Sequence, residues 1–194
     1  LRRQIPGHDR SDVTSPYGYP APIWSARDPY AHWQTFSHAL RETGIVSAFL
    51  RLHPLLPAPN PSCLQDFPDH CLVEHGPTVW LRRGLDAERR WEDTRPDHRS
   101  DIRRLQRKGY DVTRHTADEP DAFLTFRRMY EETMDRVRAD PFYYFSDAYF
   151  RHWKADLSGH CEIAIVSDAA GDPAAAGLFT VSDRWMQFHL SGTA

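Results

Sequence analysis

Residues 161–190 read Cys-Glu-Ile-Ala-Ile-Val-Ser, Asp-Ala-Ala-Gly-Asp, Pro-Ala-Ala-Ala-Gly-Leu-Phe-Thr-Val, Ser-Asp-Arg and Trp-Met-Gln-Phe-His-Leu. Apolar or alternating runs separated by short polar turns are the pattern of strands joined as an antiparallel meander. The spacing predicts strands over 161–167, 173–181 and 185–190. Two amphipathic helices precede them. The first opens at Asp118 or Glu119 and carries Phe123, Phe126, Tyr130, Thr133, Met134 and Val137 along one face. The second is capped by Ser146, turns Tyr149, Phe150, Trp153 and Leu157 inward, and ends at Gly159. Between them the run Ala139 to Phe145 is an aromatic cluster after a proline break, expected to pack the helix pair onto the sheet. Helices followed by a meander define an α/β chain in the broad sense: an α+β or mixed sheet with flanking helices.

Upstream of these elements, Asp97 to Lys108 reads as a short basic helix. Pro96 suits its first turn, its acids come early and its bases late, and Gly109 suits the left-handed conformation that ends a helix. His98, Ile102 and Leu105 fall on one side at helical spacing. Arg99, Arg103 and Arg107, four apart, share another. Like charges stacked this closely repel unless an anion or an acidic partner lies against them. Arginine's planar fork matches phosphate and carboxylate oxygens. Two readings stand: a solvated basic face beside acidic neighbours such as Glu131, Glu132 or Asp135, and an anion-binding face. A helix over 86–95 leads into this one, and a strand, 110–115, follows it.

The N-terminal part is richer in proline. Residues 1–5 suit a strand tail and 6–10 a polar turn. Three prolines and a glycine between Thr14 and Pro22 forbid regular structure. Tyr17 and Tyr19 in that rigid loop either present hydroxyls at a site or cover a core. Asp28-Pro29 starts a helix carrying Trp33, Phe36 and Leu40, which Gly44 ends. Ile45 to Leu52 reads as a buried strand, with Arg51 and His53 at its end, where α/β folds commonly place ligand contacts. Residues 57–69 form a loop, and Leu72-Val73 and Thr78 to Leu81 read as short strands around His75-Gly76.

A chain of 194 residues supports one large domain or two small ones. The net charge of -3 argues against wholesale nucleic-acid binding. No run approaches the roughly 18 apolar residues that span a membrane. Cys63, Cys71 and Cys161 suggest neither a disulfide framework nor a metal site, so a reducing, cytoplasmic setting is expected. Leu1 in place of Met, and Ala194 just after an apolar run, suggest a piece of a longer protein. There is no glycine-rich phosphate loop and no nucleophile elbow. His189 and Ser191, two apart on a strand, would share a face suited to proton transfer.

Several segments, taken in order, resemble the Fem-type aminoacyltransferases and their relatives in the GNAT acyltransferase superfamily, including acetyltransferase-like proteins linked to exopolysaccharide production. They are Ser15 to Tyr19, Phe49 to Leu55, His98-Arg99 with Ile102 to Arg104, Tyr130 to Met134, Phe142 to Phe145, and His189 to Gly192. The resemblance implies two GNAT-like units, 1–90 completing one and 91–194 beginning another. The pyrophosphate-binding turn and helix that would follow the last strand are missing, so the piece alone is expected to be inactive. It implies transfer of an acyl or aminoacyl group from acyl-CoA or aminoacyl-tRNA to an amine, in peptidoglycan or exopolysaccharide synthesis. Donor and cell-envelope precursor are then substrates, tRNA a possible partner, and no cofactor is tightly bound. His189 and Ser191 would handle protons. Arg99 and Arg103 would contact phosphates. Tyr17, Tyr19 and Arg51 would line an acceptor cleft. A non-catalytic GNAT-like binding module is the alternative, and a nucleic-acid-binding protein using the basic helix is a third.

Overall fold

The computed structural model describes residues 1–20, 29–55, 71–74, 76–78, 84–183 and 186–194. The proline-rich run 57–69, Cys63, His75 and the start of the expected last strand lie outside these residues. The chain divides into two compact units, Leu1–Val79 and Trp80–Ala194.

The first unit holds a three-stranded sheet in the order β1-β2-β3, formed by β1 (Arg2–Gln4), β2 (Ser11–Thr14) and β3 (Ile45–Phe49). β1 and β2 are antiparallel around the turn at Gly7. β2 and β3 are parallel and joined through α1 (Pro29–Glu42). Gly44, at a φ of 74°, lets the chain leave α1 directly into β3. β3 corrects the sequence reading. It stops at Phe49, and only Ile45 is buried, with Val46 and Phe49 more than half exposed. Among the described residues β3 pairs on one side alone, so an apolar run here edges the sheet instead of filling its centre. Leu72-Val73 forms no strand and is exposed, and residues 79–81, most of the other expected short strand, lie outside the described residues. Ser11–Thr14 is a strand that the sequence reading did not assign.

The second unit begins with α2 (Ala87–Asp93) and α3 (Pro96–Arg107). β4 (Asp111–Thr116), α4 (Pro120–Arg136), a 3-10 turn (Pro141–Tyr143) and α5 (Asp147–Asp156) follow. The unit ends with β5 (Cys161–Ser167), β6 (Pro173–Val181) and β7 (Met186–Thr193). The four strands form one antiparallel sheet in the order β4-β5-β6-β7. The meander and its helix pair are thus as the sequence indicates.

The core lies between this sheet and α4. Cys161, Ile163 and Ile165 alternate inward along β5. They meet Phe126 and Met129 of α4 and Leu178 of β6, all essentially fully buried. Phe123, Phe126 and Tyr130 lie on the buried face, as their spacing indicates, whereas Val137 falls past the last turn and is exposed. Gly192 lets β7 touch the helix backbone: a β-carbon there would sit 2.5 Å from Tyr130 N and nearer still to the Met129 carbonyl. Only one member of the aromatic run packs as expected. Phe145 stacks on Tyr130 and Tyr149, while Phe142, Tyr143 and Tyr144 are exposed. The 3-10 turn after Pro141 carries these three outward, where Tyr143 offers its carbonyl to Tyr130 Oη at 2.7 Å and Tyr144 donates to Asp135 at 2.9 Å.

Candidate functional site

Two places in the second unit gather chemistry-bearing side chains. The first is on α3. Its C-terminus is closed by Gly109 N–H to Gln106 and Tyr110 N–H to Leu105, with Gly109 at a φ of 83° pressed on Ala169. Arg99, Arg103 and Arg107 line a groove of about 250 Å³ with Pro96 and Ser100. The carboxylates nearby are engaged elsewhere. Asp97 pairs with Arg95, Asp101 with Arg104, and Glu92 and Asp93 with Arg89. The acidic neighbours proposed from sequence also face other groups: Glu131 pairs with Arg127, Glu132 with Arg128, and Asp135 accepts from Tyr144. Among the described residues, no carboxylate lies within ion-pair distance of Arg99, Arg103 or Arg107. Two of the three are held in place. Arg99 Nη1 donates at 3.4 Å to the carbonyls of Trp91 and Glu92, and the Arg103 guanidinium lies 5.1 Å over the Trp91 ring. Ile102 and Leu105, which share one side with His98 by their spacing, are 39% and 40% exposed, and α3 buries no residue.

The second place is on β7. Leu178 pairs with Leu190 and Phe179 with Phe188, so His189 is an extra residue in a β-bulge. The bulge turns His189 toward α5. Its ring stacks on Trp153 at 5.8 Å and 14°, and its Nε2 lies 2.7 Å from Tyr149 Oη. Burial holds the imidazole below its ordinary pKa, so the neutral ring is favoured near neutral pH. With its proton on Nδ1, that ring accepts from the phenol. Ser146 Oγ accepts from Tyr149 N–H at 3.2 Å, fixing the helix start that carries the tyrosine. Ser191 does not join this group. It lies opposite Gly177, whose β-carbon position faces the rings of Phe179 and Phe188, while Gly192 beside it faces α4. Ser191 is therefore on the outer face, and exposed.

In the first unit the proline-tyrosine loop runs along the end of β3. Ser15 N–H donates to Phe49 O at 2.8 Å, and Arg51 N–H donates to Ser15 Oγ at 3.0 Å. Tyr19 meets His53 edge-on at 6.2 Å, and burial lowers the His53 pKa. Tyr17 is partly buried; Tyr19 and the Arg51 side chain are exposed. Tyr19 and Arg51 therefore flank one loop junction.

The sequence reading took Tyr149 and Trp153 as packing residues and assigned Trp91 no role. The i, i+4 spacing of Tyr149 and Trp153 was visible, but their shared partner depends on a bulge in a distant strand. Among the described residues, no cluster of His, Cys, Asp or Glu could hold a metal ion, and no helix is long and apolar enough to cross a membrane. No protein-family model matches the chain, and no curated protein matches it.

Proposed function

We propose that the chain belongs to an acyltransferase of GNAT or Fem type, moving an acyl or aminoacyl group from acyl-CoA or aminoacyl-tRNA to an amine in cell-envelope synthesis. The observation that carries this reading is the His189 imidazole, seated in a strand bulge with its Nε2 2.7 Å from the Tyr149 hydroxyl, where burial lowers its pKa. The helix pair followed by an antiparallel meander supports it, being the arrangement that the resemblance implies.

In the reaction, a neutral amine attacks the thioester or ester carbonyl. The C–N bond forms, the C–S or C–O bond breaks, and the amine gives up a proton. Tyr149 takes that proton as it passes its own to His189 Nε2; the imidazolium then returns it through Tyr149 to the departing thiolate or alkoxide. Such proton handling contributes about 10²–10⁴ in rate. Positioning the reactants contributes the rest. Ser191, on the outer face, has no part in the step.

The test is transfer of label from acetyl-CoA and from aminoacyl-tRNA to a panel of amines, with the protein and its His189→Ala variant. The reading expects transfer from one donor, reduced at least a hundredfold in the variant. No transfer from either donor would favour a non-catalytic binding module, and equal transfer by the two proteins would remove His189 from the step.

A further inference from the structure

We propose that the groove on α3 binds a ligand carrying two linked phosphates, a diphosphate ester. The inference rests on and deepens the phosphate contacts that the acyltransferase resemblance gives Arg99 and Arg103, and it is tested without His189 or Tyr149.

Three features point to this ligand. Charge is the first. Glu92, Asp93, Asp97 and Asp101 are each paired with another arginine, so three guanidinium groups line one groove with no ion-pair partner among the described residues. Like charges at i, i+4 and i+8 disfavour the helix unless an anion relieves them. One phosphate monoester brings about −1.5 to −2 at neutral pH, short of three arginines, whereas two linked phosphates approach their charge.

Preorganisation is the second. Arg99 is tied to two backbone carbonyls of α2, and Arg103 lies flat over Trp91. Their forks are partly fixed before a ligand arrives, which lowers the entropy cost of binding. Ser100 adds a hydroxyl beside them.

Size and shape are the third. The groove, of about 250 Å³, has room for two linked phosphates. Arg99 to Arg107 spans about 12 Å of helix at 1.5 Å per residue, longer than a single phosphate needs. Nucleic acid is the weaker fit, because the chain carries a net charge of -3.

The experiment is calorimetric titration of the protein with inorganic pyrophosphate, ADP, orthophosphate and AMP, with no acyl donor present. Pyrophosphate and ADP are expected to bind at least tenfold tighter than orthophosphate and AMP. Arg103→Ala should weaken ADP binding about 10- to 100-fold, the range for a lost charge-assisted hydrogen bond pair. Arg103→Lys should restore part of that loss, because the charge remains and the fork does not. Arg104→Ala, which removes a partner of Asp101 and no lining residue, should leave affinity unchanged. The proposal is overturned if orthophosphate binds as tightly as pyrophosphate, if Arg103→Ala binds ADP like the parent, or if Arg104→Ala weakens binding equally. It is also overturned if a 20-nucleotide RNA outcompetes ADP with a steep salt dependence, which would assign the groove to nucleic acid. A failure here leaves acyl transfer to its own assay, and the reverse also holds.

Discussion

Replacing Gly192 with alanine tests how tightly the second unit's sheet meets α4. The added β-carbon would lie 2.5 Å from Tyr130 N and closer to the Met129 carbonyl, where ordinary contact begins at 3.4 Å. Both obstacles are backbone, so neither can rotate away; the helix or the strand must retreat by about an ångström. Overpacking of this kind costs about 1–3 kcal/mol, and a clash with rigid backbone belongs at the upper end. Removing a glycine from the unfolded chain returns about 0.4–1 kcal/mol. The expected net loss is about 2–3 kcal/mol. Gly177→Ala is the matched comparison. Its β-carbon meets the ring edges of Phe179 and Phe188 at 3.0–3.3 Å, and Phe188 is 59% exposed and free to swing outward. That loss should stay within about 0.5 kcal/mol, because the same unfolded-chain term offsets a small adjustment. Urea denaturation followed by far-UV circular dichroism reads both. With slopes of about 1–3 kcal/mol per molar urea, Gly192→Ala should lower the midpoint by about 0.7–3 M and Gly177→Ala by little. Equal midpoints for the two variants would refute the helix-on-strand contact.

Cys161 and Cys71 should react differently with iodoacetamide: burial, aided by the Asp118 charge, pushes the Cys161 thiol up to about 12, whereas Cys71 is exposed. Peptide mass spectrometry after labelling at pH 8 should find Cys71 modified and Cys161 modified only in urea; native labelling of both would contradict the buried start of β5. The stability that Cys161 provides by staying protonated is present below about pH 9 and lost as the pH rises toward 12. His189 acts at the other end of the scale. Its folded pKa is below the ordinary 6.5, so at higher pH both states are neutral, and as the pH falls through 6.5 the unfolded chain takes up the proton first and stability declines. His189→Gln should decline less steeply than the parent from pH 6.5 to roughly pH 5, and identical slopes would place the ring in solvent.

The helix pair and meander were legible because their signals are periodic. Alternation along β5 and the three-to-four spacing of Phe123, Phe126 and Tyr130 each name a face without reference to distant residues. The bulge was not legible. One extra residue leaves the local alternation of β7 almost unchanged, yet it parts His189 from Ser191 and sends them to opposite faces. That is why two residues read as one proton-handling pair are separate. The basic helix was legible in its ends and its arginine face, since both follow from spacing within twelve residues. Which carboxylates would neutralise that face was not, because Glu131, Glu132 and Asp135 find partners on their own helix or on the 3-10 turn. Ile45 to Leu52 looked buried from composition alone, and composition does not say whether a strand ends up central or at an edge.

The most direct test of the central claim is the rate of acyl transfer by Tyr149→Phe across pH 5 to 9. If Tyr149 relays the amine proton to His189, the variant loses 10²-fold or more in kcat. Its unfolding midpoint should change little, because the ring stack on Phe145 at 4.4 Å remains. The parent rate should rise with pH as the His189 imidazole becomes neutral, and that rise should vanish in the variant. A variant as fast as the parent with the same pH profile would contradict the assignment, and a variant that loses its fold along with its rate would make Tyr149 a packing residue.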